Sequence, residues 1–323
     1  MATKSEQSDG GDRQKVRKVT VEEDFAGQRV DNFLRRELPG VPRSRLYRIL
    51  RRGEVRVNGG RVRAEYRLQA GDEVRIPPAR VRTPGQPPAA AADALSGRVL
   101  FEDRALLVID KPGGLAVHGG SGISHGVIEL LRAARPDLRD LSLVHRLDRE
   151  TSGCLVLAKK RSALRELHAR FRDGLVDKNY LALVAGDWQL GELLVDQPLL
   201  VTNRKGGERF VVVSKDGKPS QTSLRLSRTL GRYSLLQCQP QTGRTHQIRV
   251  HALHCGHPVV GDERYGDDSV NAEARKLGLR RLFLHAQSIS FPDDHGNELH
   301  FTAPLADDLE RFLNKTSGGR RKN

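Results

Sequence analysis

Apolar and polar positions alternate along this chain in short, clearly bounded stretches. In "RVDNFLRREL", Val30, Phe33, Leu34 and Leu38 recur three to four apart, which predicts a helix. "RSRLYRILRRG" repeats the pattern with Leu46, Ile49 and Leu50; Ser44 is placed to cap this second helix and Gly53 to stop it. "EVRVNGGRVR" then alternates with period two around Asn58-Gly59, the signature of a tight hairpin. Farther along, Leu106 to Ile109 and Cys154 to Ala158 are continuous apolar runs, the second within a strand expected over 152–158, and both suit strands covered on both faces. "RSALRELHARFRDG" reads as a helix with Leu164, Leu167 and Phe171 on one side and Gly174 at its end. "KNYLALVAG", "ERFVVVS", "SQTSLRLS" and "RYSLLQCQP" read as strands. "THQIRVHALHCG" reads as a short helix capped by Thr245 and stopped by Gly256.

These elements fall into two groups. Ile76 to Gly97 carries five of the fifteen prolines, mixed with alanine and glycine, a composition that makes a poor core and predicts a linker over 79–97. A small α/β module is expected before it, over 16–78, and a larger domain after it, over 98–313. In the larger part short strands outnumber helices and hairpin turns recur. That predicts an α+β fold built on a mixed, mostly antiparallel sheet rather than a doubly wound parallel one. Residues 1–15 and 314–323 are polar and predict a disordered tail and a basic tail.

Charge narrows the partner. The 323 residues carry 55 Lys and Arg against 40 Asp and Glu, a formal net charge of +15, which makes a polyanion the expected partner, nucleic acid ahead of membrane. The excess is concentrated in the small module: Val41 to Arg63 holds eight arginines and one acid, Glu54. Arg45, Arg48 and Arg52 share one helical face, with Arg43 at its start and Arg56 on the strand that follows. A solvated surface mixes signs; arginine of one sign fits phosphate, because guanidinium offers forked donors to its oxygens. No apolar run approaches a membrane span and no secretory signal opens the chain. Three scattered cysteines make no disulfide framework and suit a reducing cytoplasm. No GxGxxG or GxxxxGK[ST] pattern is present, so no nucleotide cofactor is expected.

Three places carry candidate chemistry. "VHRLDRETSG" gathers His145, Arg146, Asp148, Arg149 and Glu150 at the entrance to a strand. A carboxylate flanked by two arginines is held ionised and can be a base or a nucleophile; the same cluster also suits a purely structural set of ion pairs. "QTGRTHQIRVHALHCGH" brings His246, His251, His254, Cys255 and His257 together, but their spacing fits no familiar zinc site and no metal is expected. Arg244 and Arg249 there are better read as cations converging on a phosphate or a carboxylate. Tyr180 in "DKNYLALV" gains interest only if it faces Asp148; otherwise it is an ordinary half-buried strand tyrosine.

In order, "VIDKPGGLAVH", "VHRLDRETSG", "KNYLALVAG" and "PQTGRTHQIRVH" resemble the motifs of the RluA-type pseudouridine synthases, over nearly all of residues 98–305. The series from "RVDNFL" to "GDEVRI", residues 29–76, resembles the S4 RNA-binding module. The resemblance implies isomerisation of uridine to its carbon-linked isomer within RNA, with no cofactor. It implies Asp148 as the essential carboxylate, Tyr180 against the flipped base, and Arg249 as partner of the carboxylate. Arg146 would fill the space the base leaves, and Lys111 and His118 would shape the pocket and touch RNA, as would Arg244. The resemblance as a whole implies bacterial large-subunit (23S) ribosomal RNA, free or in an assembling subunit; the S4-like front end argues against transfer RNA, and a cytoplasmic monomer is the default. Two alternatives stay open: a relative of the same family acting on other ribosomal uridines, and a non-catalytic RNA-binding assembly factor.

Overall fold

The computed structural model describes residues 16–38, 41, 43–78, 88–119, 125–138, 140–203 and 209–317. The expected tail over 1–15, the first half of the expected linker and residues 318–323 lie outside them. The chain divides into two compact units, residues 1–86 and 87–323.

The first unit contains β1 (Arg17–Thr20), α1 (Val30–Glu37), α2 (Arg43–Arg51), β2 (Arg56–Val57), β3 (Gly60–Arg61) and β4 (Glu73–Ile76). Its strands form one antiparallel sheet in the order β1-β4-β2-β3. Phe33, Leu34, Leu46 and Leu50, the residues that set the helical period, are buried together with Val55, Val74 and Ile76. Asn58 and Gly59 both have positive φ, 49° and 78°, as a two-residue hairpin turn requires. Buried Asp31 ties the two helices: it accepts both Nε and Nη2 of Arg29 and the Tyr47 hydroxyl. Ser44 does not cap α2, which already begins at Arg43; the side chain is a cap former, but one residue inside the helix.

The second unit runs α3 (Ala89–Ser96), β5 (Val99–Glu102), β6 (Leu106–Lys111), α4 (Val127–Ala134), β7 (Ser142–Leu143), β8 (Ser152–Ala158), α5 (Arg161–Arg172), β9 (Asp177–Ala185) and β10 (Leu193–Asp196). It continues with β11 (Leu199–Asn203), β12 (Arg209–Val213), β13 (Gln221–Leu230), β14 (Tyr233–Pro240), α6 (Gln247–His254), α7 (Asp268–Lys276), β15 (Leu284–Pro292), β16 (Glu298–Thr302) and α8 (Asp307–Ser317). One large sheet has the order β10-β13-β14-β9-β15-β8-β6-β5, with β16 on β15 and β7 on β8; β11 and β12 form a separate hairpin. Among the described pairings only β15 with β8 is parallel, so the α+β, mostly antiparallel architecture is the one expected.

The continuous apolar runs of β6 and β8 have a simple cause, since both faces of these strands are covered. Leu107, Ile109, Leu155 and Leu157 pack with Leu130 and Leu131 of α4 on one face. Leu106, Val108, Cys154 and Val156 pack with Leu164 and Leu167 of α5 on the other. At the parallel junction Gly153 has φ 109°, and a Cβ there would sit 2.1 Å from the Ala286 carbonyl oxygen, so only glycine lets β8 approach β15 this closely.

Two boundaries differ from expectation. The second half of the expected linker is helix α3, with Ala92 and Leu95 buried against the α4 layer. Four consecutive alanines after the prolines favour a helix more strongly than the surrounding proline and glycine oppose it. The expected basic tail from 314 is also partly structured: α8 runs to Ser317, because Leu309, Phe312 and Leu313 anchor it in a core with Tyr233 and Phe283. No helix among the described residues is long and apolar enough to cross a membrane.

Candidate active site

The charged loop before β8 is fixed by its own uncharged neighbours. Val144, Leu147 and Thr151 are buried, while Arg146 and Arg149 are exposed and Asp148 is half-exposed. His145 stacks on Phe171 at 5.3 Å, and its Nε2 accepts the Val156 N–H at 3.0 Å; burial pushes its pKa down to about 3, so it stays a neutral acceptor. From the other side the Lys111-Pro112-Gly113-Gly114 turn cradles the loop. Gly114 N–H donates to the Arg149 carbonyl and Arg149 Nε donates to the Gly114 carbonyl, both at 2.9 Å.

Lys111 completes this cradle, and here the structure corrects the sequence. It was expected among the RNA contacts; instead it is fully buried, its ammonium donating to the carbonyls of Pro112, Leu115 and Arg149 at 2.8, 2.8 and 3.0 Å. All three donors are occupied inside the protein, so none is left for phosphate. Burial pushes its pKa down to about 7, against the raising influence of Glu150 and Asp148.

Asp148 faces Arg249 of α6: its Oδ2 lies 3.5 Å from Arg249 Nη1. The arginine is held from behind, where its Nε and Nη2 donate to the two oxygens of Asp262 at 2.6 and 2.7 Å. Asp262 is buried and also accepts the backbone N–H groups of Arg264 and Tyr265. These donors hold its carboxyl below the usual carboxylate range, against the desolvation that would raise it. The Tyr265 ring lies 4.9 Å from the guanidinium. The chain thus presents a carboxylate beside a cation whose own position is set by a second, inner carboxylate.

Tyr180 sits on β9, paired with Cys238 of β14 and Ala286 of β15. Burial pushes its phenol pKa well up, and the charge of Asp148 adds to the shift, so the two residues are electrostatic neighbours. Asp148, Arg249 and Asp262 line a cleft of about 500 Å³, a volume that suits a nucleoside-sized guest. Arg146, His118, His246, Arg264 and Arg280 line the same cleft, where arginines outnumber the carboxylates Asp148, Glu150, Asp262 and Glu263 and leave a net cationic wall. Exposed Arg146 makes no hydrogen bond or ion pair with the described residues. Arg244 is exposed and donates from Nε to the Pro219 carbonyl at 3.0 Å, outside the cleft lining.

The histidine-rich helix does not gather its imidazoles. His246 bonds Tyr265, His251 bonds Thr222 and the Gln197 carbonyl, and His257 bonds the Ala185 carbonyl. Among the described residues no group of three metal-ligating side chains occurs. Nor does Thr245 cap this helix: His246 occupies the cap position with left-handed φ of 55° and no capping hydrogen bond. In the first unit Arg48, Arg52 and Arg56 are exposed and Arg45 is half-buried, while the side chain of Arg43 lies outside the described residues.

With this geometry in hand the chain can be compared with known proteins. Residues 105–254 match the RNA pseudouridylate synthase model, and residues 28–74 match the S4 domain. The ribosomal large subunit pseudouridine synthase C of Pasteurella multocida is 52% identical over 93% of this chain and 94% of its own length. The chain belongs to the RluA-type RNA pseudouridylate synthases. A synthase C of Escherichia coli is 51% identical over 94% of this chain and 98% of its own. The solved structure of human RNA pseudouridylate synthase domain containing 4 superposes with a TM-score of 0.59 at 28% identity, covering 71% of this chain and 96% of its own.

The residue that fixes Arg249 from behind has no motif of its own. Asp262 sits in "VVGDERYG", a turn without periodicity, and nothing local distinguishes it from a surface turn aspartate. A signal was nonetheless present. Apolar Val259 and Val260 and an aromatic at 265 flank it, and an acid embedded in apolar sequence needs a buried cation.

Proposed function

We propose that this chain isomerises uridine to pseudouridine at selected positions of bacterial large-subunit (23S) ribosomal RNA, as the names of its ribosomal large-subunit relatives suggest. The observation that carries the site assignment is Asp148, half-exposed in a cationic cleft and set against an arginine whose far side is locked to Asp262.

The reaction adds and removes nothing. The bond from ribose C1′ to uracil N1 breaks, the uracil turns, a bond from C1′ to C5 forms, the C5 proton leaves and N1 gains one. A stacked uridine hides these atoms, so the target must swing out of its stack into the cleft. A loop or unpaired uridine lowers the cost of doing so. Asp148 acts on the ribose, either as nucleophile or as base; both tasks need a carboxylate with an oxygen left free. Arg249 meets that need by touching one oxygen of Asp148 at 3.5 Å rather than gripping both. Tyr180 lies against the turned base. A phenol whose pKa is pushed up stays protonated at neutral pH, which favours stacking over proton removal.

Arg146, exposed at the cleft, would enter the RNA stack and fill the space the base vacates. Arg45, Arg48, Arg52 and Arg56 of the S4 unit would hold phosphates of the RNA in sequence-independent fashion. We further read the protein as a monomer working in the cytoplasm without a cofactor; its three cysteines are free thiols, which fits a reducing compartment.

The test is pseudouridine mapping along large-subunit RNA from cells lacking this chain, then complemented with wild type or with Asp148→Asn. Specific pseudouridines should vanish, return with wild type and stay absent with the variant. An unchanged map would leave the non-catalytic RNA-binding reading.

A further inference from the structure

His246 stands in the wall of the same cleft and has no part in the chemistry above. Its backbone is held at φ 55°, a region that a non-glycine residue enters at a cost and that tends to mark functional sites. The strain is not offset by capping, since the His246 side chain makes no cap hydrogen bond to α6. The ring instead turns to Tyr265, its Nδ1 lying 2.8 Å from the phenol oxygen.

That contact fixes the tautomer. The Tyr265 oxygen already accepts the Val211 N–H at 2.9 Å. If Nδ1 also donated to it, the phenol hydrogen would have no acceptor among the described residues. The consistent arrangement has Tyr265 O–H donating to Nδ1, which places the imidazole proton on Nε2. Nε2 has no partner among the described residues, and His246 is a lining residue of the cleft. Burial pushes the ring down to about pKa 4, so it is neutral when the enzyme works.

Resting on the pseudouridylate synthase reading, we propose that His246 touches the target nucleotide, donating its Nε2–H to a carbonyl oxygen of the flipped uracil. A neutral, directional donor suits a neutral carbonyl. The phosphates of the same nucleotide would be drawn to other arginines that share the cleft, Arg264 and Arg280. Tyr265 and the N–H of Val211 on β12 then act at one remove, by keeping the proton on the nitrogen that faces the base.

The test separates the two ring nitrogens. Asparagine places a polar atom near the Nδ1 position and tolerates left-handed backbone; glutamine places an amide donor near the Nε2 position. Single-turnover rates at saturating enzyme should fall about tenfold in His246→Asn, the scale of one lost hydrogen bond in a site. His246→Gln, which restores a donor near Nε2, should recover most of the rate lost in His246→Asn, and RNA affinity should hold in both. An unimpaired Asn variant, or a Gln variant as slow as Asn, overturns the contact. If either variant unfolds, ¹⁵N shifts of the ring decide, measured in the Asp148→Asn enzyme with and without target RNA. An unprotonated Nδ1 with a protonated Nε2 that moves on RNA binding supports the proposal; a protonated Nδ1 or an unmoved Nε2 overturns it. Wild type in the same assay reports on the underlying reading, whose failure would appear as no turnover in any sample.

Discussion

Arg249 grips Asp262 with two nitrogens at 2.6 and 2.7 Å and reaches Asp148 with its third at 3.5 Å. The asymmetry has a use. A forked grip on Asp148 would occupy both of its oxygens; a single long contact orients the carboxylate and leaves it able to react. Asp262 is the fixed point, buried and supplied with two backbone donors besides the arginine.

Removing that fixed point should therefore damage both stability and rate. Asp262→Ala leaves Arg249 buried without its main partner and should cost about 3–5 kcal/mol of unfolding free energy. Turnover in the fraction that remains folded should fall by about tenfold or more, since Arg249 loses its aim. Urea titration and single-turnover kinetics check the two effects separately. Wild-type values for both would remove Asp262 from the site.

Lys111 makes stability depend on pH. Its native pKa of about 7 lies below the ordinary 10.5, so between those values the unfolded chain binds a proton that the native protein lacks. Stability from this residue is therefore greatest above pH 10.5 and is lost as pH falls toward 7. The slope is at most about 1.4 kcal/mol per pH unit. Unfolding measured across this window in wild type and Lys111→Met should show the slope in wild type alone. Parallel profiles would mean that the three carbonyls hold the ammonium charged throughout.

The S4 arginines should act through phosphate. Replacing Arg48, Arg52 and Arg56 together by alanine should weaken RNA binding at low salt. It should also reduce the slope of log affinity against log salt by roughly two to three. An unchanged slope in filter binding would show that this face does not meet the RNA backbone.

The sequence was most legible where one physical signal dominated. Residues 152–158 read as a doubly covered strand because Cys154 to Ala158 is apolar without interruption, and the structure buries the whole strand, Ser152 included. Asn58-Gly59 read as a hairpin because few residues accept positive φ twice in succession. Asp148, Tyr180 and Arg249 stand out through their motif contexts; the fold sets Arg249 against Asp148 and leaves Tyr180 within reach of the same charge. The misses arise where long-range packing decides. Lys111 looks like a surface cation until the Pro112-to-Leu115 turn and the Arg149 carbonyl close around it. Helix α3 hides in a proline-rich segment because its burial against α4 is a tertiary event. Asp262 lies thirteen residues beyond Arg249, and only the folded chain pairs them.

The central claim, that Asp148 drives a uridine isomerisation, is tested most directly by tritium release from large-subunit ribosomal RNA labelled at uracil C5. Free RNA and partly assembled subunits should both be offered to wild type and to Asp148→Asn. The account predicts release by wild type and none by the variant, with RNA binding equal in the two. Equal release by both would remove Asp148 from the chemistry, and no release by either on any substrate, with tight binding intact, would contradict the enzyme itself.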